Sequence, residues 1–225
     1  SQFFMHSGGF DAVIGNPPYV RIQALKEWAP KEVEFYKVIY KSASKGNYDI
    51  YVVFVEKGFS LLNNNGRLGF ILPHKFFNAK YGESLRQMIS EGKHLSKIVH
   101  FGDQQVFENA TTYTCLLFLE KLSKETFNFV KVTDLKSWQS GASGKMGEID
   151  AEKLTSVGWN FTVGNNSELF EKISKIPVKL RDVSEKIFQG LVTSSDSIYL
   201  LDPIGIEHNG FICVKSKATN QEYQL

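Results

Sequence analysis

Four segments of this 225-residue chain are too short to be helices and too apolar to keep one face in water. They are residues 10–15 (Phe-Asp-Ala-Val-Ile-Gly), 67–72 (Arg-Leu-Gly-Phe-Ile-Leu), 97–102 (Lys-Ile-Val-His-Phe-Gly) and 112–119 (Thr-Tyr-Thr-Cys-Leu-Leu-Phe-Leu). A half-wetted strand alternates polar and apolar residues, whereas a strand buried on both faces does not. Between them lie stretches of helical character at 31–45, 49–62 and 81–91. The first carries Phe35, Val38 and Ile39 at helical spacing; the second stops at Asn63-Asn-Asn-Gly66 and the third at Gly92. Strands alternating with helices predict an α/β fold, with a mainly parallel sheet covered on both sides.

The texture changes after Lys121. Residues 127–132 read as one more strand, 137–147 as a loop rich in Ser, Gly and Lys, and 166–176 as a short helix. Residues 180–201 read as helix, turn and strand, and 202–225 as polar and weakly patterned.

Charge and cysteine narrow the chemistry. Residues 21–100 hold 13 basic against 7 acidic side chains, a net +6, while the remainder holds 13 against 17. A basic region of this kind suits a phosphate-rich partner or an ordinary solvated surface. Cys115 and Cys213 have no CxxC or Cys/His company, so neither a zinc site nor a disulfide framework is indicated. No apolar run is long enough to span a bilayer, so the expected setting is a reducing cytoplasm without membrane contact. His74, His94 and His100 lack partners at ligand spacing and are expected to be structural or surface residues, with no metal.

The tetrapeptide Asn16-Pro17-Pro18-Tyr19 follows the first strand directly. Average residue usage yields such a string roughly once in 300,000 positions. Ligands of open α/β sheets bind beyond the carboxyl ends of strands, where this turn falls. Two prolines stiffen the backbone and remove two amide donors. What remains is a pair of acceptors, the Asn16 side-chain oxygen and the Pro17 carbonyl, to which an amine can donate one hydrogen each. Held so, the nitrogen lone pair is oriented for attack without a strong base. Tyr19 adds a flat face for a base to stack on.

These residues, preceded by Phe-Asp-Ala-Val-Ile-Gly, resemble the catalytic motif of S-adenosylmethionine-dependent amino-methyltransferases, above all the adenine-specific DNA enzymes of restriction–modification systems. The resemblance implies that Asn16, Pro17 and Pro18 form the amine-binding turn and that Tyr19 stacks on an adenine flipped out of duplex DNA. Residues 66–73 with Leu85-Arg86 resemble the next strand–helix unit of that family. Val106-Phe107-Glu108-Asn109-Ala110 resembles the segment that supplies a second aromatic, which assigns Phe107 to the opposite face of the base. Leu180-Arg-Asp-Val, 187–196 and 198–201 resemble the opening of a target-recognition domain.

The implied fold is an incomplete doubly wound S-adenosylmethionine-dependent methyltransferase sheet with its last strand antiparallel, followed by the start of a target-recognition domain. The implied divisions are 1–126 for the catalytic half, 127–180 for a linker or extension and 181–225 for partial target recognition. The family's Gly-rich cofactor loop belongs upstream of the catalytic motif, and Ser7-Gly8-Gly9 does not match it. The chain is therefore expected to be a fragment that needs the N-terminal half of its own parent, fails to bind S-adenosylmethionine tightly alone, and retains only Asn16 as a cofactor-side candidate. Any fused nuclease would lie outside this sequence.

Two alternatives stay open. The same tetrapeptide serves enzymes that methylate the glutamine amide of release factors or guanine amines of ribosomal RNA. The piece could instead act only as a DNA-binding module, with Lys37, Lys41 and Lys45 spaced by four along one helix face and touching phosphates of double-stranded DNA.

Overall fold

In the computed structural model the described residues are 8–44, 46–107, 112–161, 169, 172–173, 175–178, 180–185, 201–206, 212–216 and 219–224. They fall into two compact units, 1–173 and 174–225.

The first unit is built on a six-stranded sheet of order β1-β2-β4-β3-β5-β6. Its strands are β1 (Phe10–Gly15), β2 (Leu62–Pro73), β3 (Leu95–His100), β4 (Thr114–Glu120), β5 (Thr126–Lys131) and β6 (Lys145–Asp150). β1 and β2 are parallel, as are β3 and β5. β4 is inserted antiparallel between β2 and β3, and β6 is antiparallel to β5. The sheet is thus mixed, with four strands running one way and two the other. The antiparallel strand implied by the resemblance is β4. From residue 126 the chain adds β5, a short helix α5 (Leu135–Gln139) and β6; the last two each overlap part of the stretch 137–147 expected to be loop.

Alternation sorts the strand side chains. Leu68, Phe70 and Leu72 of β2, Ile98 of β3, Cys115, Leu117 and Leu119 of β4, and Phe127 and Phe129 of β5 share one face and one core. Over that face pack α1 (Ile22–Trp28), α2 (Pro30–Ile39), α3 (Tyr51–Ser60) and α4 (Glu83–Glu91), giving Leu25, Val33, Val52, Val55, Leu85 and Ile89 to the same core. Gly58 permits the close approach of α3 to the sheet. A Cβ there would stand 2.9 Å from Leu68 and 3.1 Å from Phe70. On the other face Val99, Phe101, Val130 and Val132 form a smaller cluster with Leu135 and Trp138.

The expected cover on both sides is therefore incomplete. Among the described residues β1 pairs with β2 alone, and Ile14, which alternation places on the second face, is 85% exposed. A strand composed to be buried thus ends the described sheet.

The expected helix over 31–45 is also corrected. It starts at Pro30, where a missing amide is harmless, and ends at Ile39, because Tyr40 is extended (φ −112°, ψ 128°). Lys41–Ala43 then form a separate 3-10 turn. The amides of Lys41 and Ser42 donate to the Glu56 carboxylate at 3.1 and 2.8 Å, so α3 captures the backbone groups that would have continued the helix. Val33 is buried in α2, while Phe35, Val38 and Ile39 are exposed.

The second unit contains a short helix α6 (Leu180–Val183) and an antiparallel sheet of β7 (Leu201–Ile206), β8 (Ile212–Ser216) and β9 (Glu222–Gln224). The stretch read as weakly patterned thus forms strands, held by ladder hydrogen bonds and the buried Val214. The segment 187–196 and most of the expected helix 166–176 lie outside the described residues. Among the described residues no helix is long and apolar enough to cross a membrane.

Candidate active site

Because β1, β2, β3 and β5 share a direction, their carboxyl ends meet at one end of the sheet, together with the start of β4. Among the chain segments that emerge there are residues 16–21 after β1, 74 onward after β2, 101–107 after β3, and Thr112-Tyr113 before β4. This is the end where such sheets bind ligands.

The Asn16–Tyr19 turn leaves β1 in an irregular conformation. Asn16 is exposed, and its side chain makes no hydrogen bond to a described residue. Pro17 is buried and Pro18 exposed, so the turn is anchored by its first proline. Tyr19 is half-buried and packs on the core. Its hydroxyl donates to the Ile71 carbonyl at 3.1 Å, tying the turn to the end of β2. Burial, then proximity to Cys115, pushes its phenol up to about 12, so it remains a neutral donor at physiological pH. Beyond the turn, the Ile50 amide donates to the Val20 carbonyl at 2.8 Å, and the Ile22 amide to the Tyr48 carbonyl at 2.9 Å.

Phe107 is half-buried in the segment after β3. Its strand is three places from β1, about 14 Å at the usual spacing, and no ring contact joins Phe107 to Tyr19. The two share the sheet end without being in contact.

Lys37 and Lys41 do not share one helix face. Lys37 on α2 is paired with Glu34 at 2.9 Å, Lys41 lies past the helix end in the 3-10 turn, and Lys45 is outside the described residues. Their regular spacing lost its meaning when the helix ended at Ile39.

His74 and His100, expected only as structural or surface residues, join Tyr113 in an aromatic group at the same end. The His74 and His100 rings lie 4.4 Å apart, and Tyr113, 47% exposed, stacks on His74 at 6.3 Å and 19°. Finding it requires the register that sets His100 beside Cys115 and Pro73 beside Thr114. Burial holds His74 below the ordinary imidazole range. Burial, reinforced by His74 and Lys131, pushes His100 down to about 4. Its Nδ1 accepts the Gly102 amide at 3.0 Å, which requires that nitrogen to be unprotonated.

This has a consequence for stability. An unfolded histidine titrates near ~6.5, so between there and about 4 the unfolded chain binds the extra proton. The His100 contribution is complete above the higher value and is lost as pH falls toward the lower. Thermal melts at pH 7 and pH 5 should show a larger drop for the parent than for His100→Gln; equal drops would refute the assignment.

Gly8 and Gly9 sit at the opposite end of β1 from Asn16. Gly9 is used for packing, since a Cβ there would stand 2.6 Å from the Asn63 amide nitrogen. Among the described residues no group of three His, Cys, Asp or Glu is placed to hold a metal ion.

Comparison with known proteins follows this geometry. Residues 1–107 match the family described as Eco57I restriction-modification methylase. The chain is 38% identical over 207 residues to the type II restriction enzyme and methyltransferase RM.Eco57I of Escherichia coli, covering 90% of this chain and 20% of that protein. It is 28% identical over 216 residues to the type II methyltransferase M.BstVI of Geobacillus stearothermophilus, covering 86% of this chain and 38% of that one. The chain thus spans between a fifth and about two-fifths of the length of these relatives. In fold it is similar to the type IIG restriction endonuclease BpuSI, with a TM-score of 0.50 at 18% identity over 88% of this chain and 26% of that structure. Over residues 1–107, just under half of its length, the chain is similar to the Eco57I restriction-modification methylase family.

Proposed function

We propose that this chain is the catalytic segment of a longer, site-specific DNA methyltransferase that modifies the exocyclic N6 amine of an adenine flipped from double-stranded DNA. S-adenosylmethionine is the methyl donor in this reading. Most of its binding belongs to the remainder of the longer protein in this reading, with Asn16 the cofactor-side candidate in this chain. The setting is a bacterial restriction–modification system in the cytoplasm. Residues 1–126 form the catalytic half, 127–180 an extension of it, and 181–225 the start of target recognition.

One observation carries the reading: at the carboxyl end of β1, Asn16 stands exposed with no hydrogen bond to a described residue. It sits on a turn whose prolines cannot donate and whose tyrosine hydroxyl is already engaged with Ile71. The Asn16 Oδ1 and the Pro17 carbonyl each accept one hydrogen of the amine, fixing its nitrogen and orienting its lone pair. After attack, the same acceptors stabilise the positive charge that develops on the nitrogen until a proton leaves. Tyr19 supports one face of the base, and Phe107, on the segment after β3, the other.

The test is a methyl-transfer assay with the full-length protein and isotopically labelled donor, offering duplex DNA, a release-factor peptide and a ribosomal RNA fragment in parallel. Label in DNA alone is expected. Label in the peptide or RNA would replace this reading with the corresponding alternative.

A further inference from the structure

A line of hydrogen-bonded side chains stands beside the exit of the catalytic turn. Tyr81 Oη donates to Asp49 Oδ2 at 3.1 Å and lies 2.9 Å from Tyr51 Oη. A phenol carries one hydrogen, and that of Tyr81 is committed to Asp49, so Tyr51 is the donor of the second bond. The line therefore runs from Tyr51 through Tyr81 to Asp49.

Its two ends differ in kind. Tyr51 is fully buried at the start of α3, edge-on to Phe76 at 6.2 Å, and cannot shift without disturbing the core. Asp49 is half-exposed, and its backbone pairs with Arg21 in an isolated antiparallel bridge. The flanking bonds, Ile50 amide to Val20 carbonyl and Ile22 amide to Tyr48 carbonyl, fasten residues 20–22 on either side of that bridge. Residues 20–22 are the first three after Asn16-Pro17-Pro18-Tyr19. The turn is thus held at its tyrosine by β2 and at its exit by the segment that Asp49 centres.

Stability alone gives little reason for these hydroxyls. Phenylalanine at both positions would fill the same volume without burying two polar atoms. Direction is what the hydroxyls add, since a hydrogen bond fixes an angle and apolar packing does not.

We propose that Asp49, Tyr81 and Tyr51 are positioning residues for the amine-binding turn, transmitting the rigidity of the core to residues 20–22 and so to the Asn16 and Pro17 oxygens. The proposal rests on the reading of that turn given above.

The test uses the full-length protein in single-turnover methyl transfer with donor and duplex DNA both saturating. Tyr81→Phe removes the hydroxyl that makes both bonds and keeps the ring. A fall in rate of about 10- to 100-fold is expected, the scale of a small misplacement of reacting groups, with KM for the donor and Kd for DNA within about twofold of the parent. Asp49→Asn keeps an oxygen to accept from Tyr81 and should stay within about threefold of the parent rate, whereas Asp49→Leu should fall with Tyr81→Phe. This pair keeps the proposal testable if Tyr81→Phe folds poorly, which its melting temperature would reveal. A Tyr81→Phe rate within about twofold of the parent, or equal losses in Asp49→Asn and Asp49→Leu, overturns the proposal. Asn16→Ala measured alongside separates the two claims. An inactive Asn16→Ala beside an unaffected Tyr81→Phe ends only the positioning role, while an active Asn16→Ala ends the reading of the turn as well.

Discussion

Asn16→Ala in the full-length protein is expected to lower the methyl-transfer rate by about 10²–10³-fold, the usual loss when one pre-aligned hydrogen-bonding group is taken from a site where charge develops. That corresponds to about 2.7–4 kcal/mol of transition-state stabilisation. DNA affinity and melting temperature should barely move, because Asn16 is exposed and bonds to no described residue. A surface side chain without partners contributes little to stability. Asn16→Asp keeps an accepting oxygen and should retain more activity than the alanine variant. Single-turnover assays with DNA-binding and melting controls measure all three quantities. A loss below about threefold in Asn16→Ala would remove this oxygen from the chemistry.

The largest expected effect on the fold lies elsewhere. Arg86 on α4 is 4% exposed, and it forms no ion pair among the described residues. Its guanidinium instead gathers three carbonyls: Phe76 at 2.5 Å and Ala79 at 2.9 Å through Nη1, and Ser156 at 2.8 Å through Nε. It joins α4 to the turn after β2 and to the segment that brings Trp159 against Phe76 and Phe77. Arg86→Ala leaves these acceptors without their donor and opens a cavity, so a loss of about 3–5 kcal/mol is expected in urea denaturation of this chain. Arg86→Lys offers a single ammonium in place of a planar fork and should recover only part of it. A loss under about 1 kcal/mol would mean that water replaces the guanidinium without cost.

The parts of the molecule legible in the sequence were those fixed by composition over a few neighbouring residues. Short, largely apolar runs marked β1 through β4 because strands buried on both faces dispense with polar alternation. The Asn16–Tyr19 turn was legible because its residue types are rare together and each has a separable consequence for the backbone. What escaped depends on residues far apart in the chain. α2 ends at Ile39 because Glu56, one helix further on, takes the next amides, and no local signal at Tyr40 announces that. The pairing of His74 with His100 follows from the insertion of β4 between β2 and β3, a matter of strand order. β7, β8 and β9 were missed because short, half-exposed strands carry almost no periodic signal, and their pairing is made by the backbone. The incomplete sheet implied by the resemblance ends, among the described residues, at β1, whose composition suits burial while its Ile14 is exposed.

The most direct measurement is mass spectrometry of nucleosides released from duplex DNA after incubation with the full-length protein and labelled donor. Label on the N6 nitrogen of deoxyadenosine is the predicted result, because the turn offers two acceptors to an amine and nothing to activate a ring carbon. Label on a ring carbon of cytosine, or on no nucleoside at all, would contradict the assignment of Asn16 and Pro17 as the groups that hold the target nitrogen.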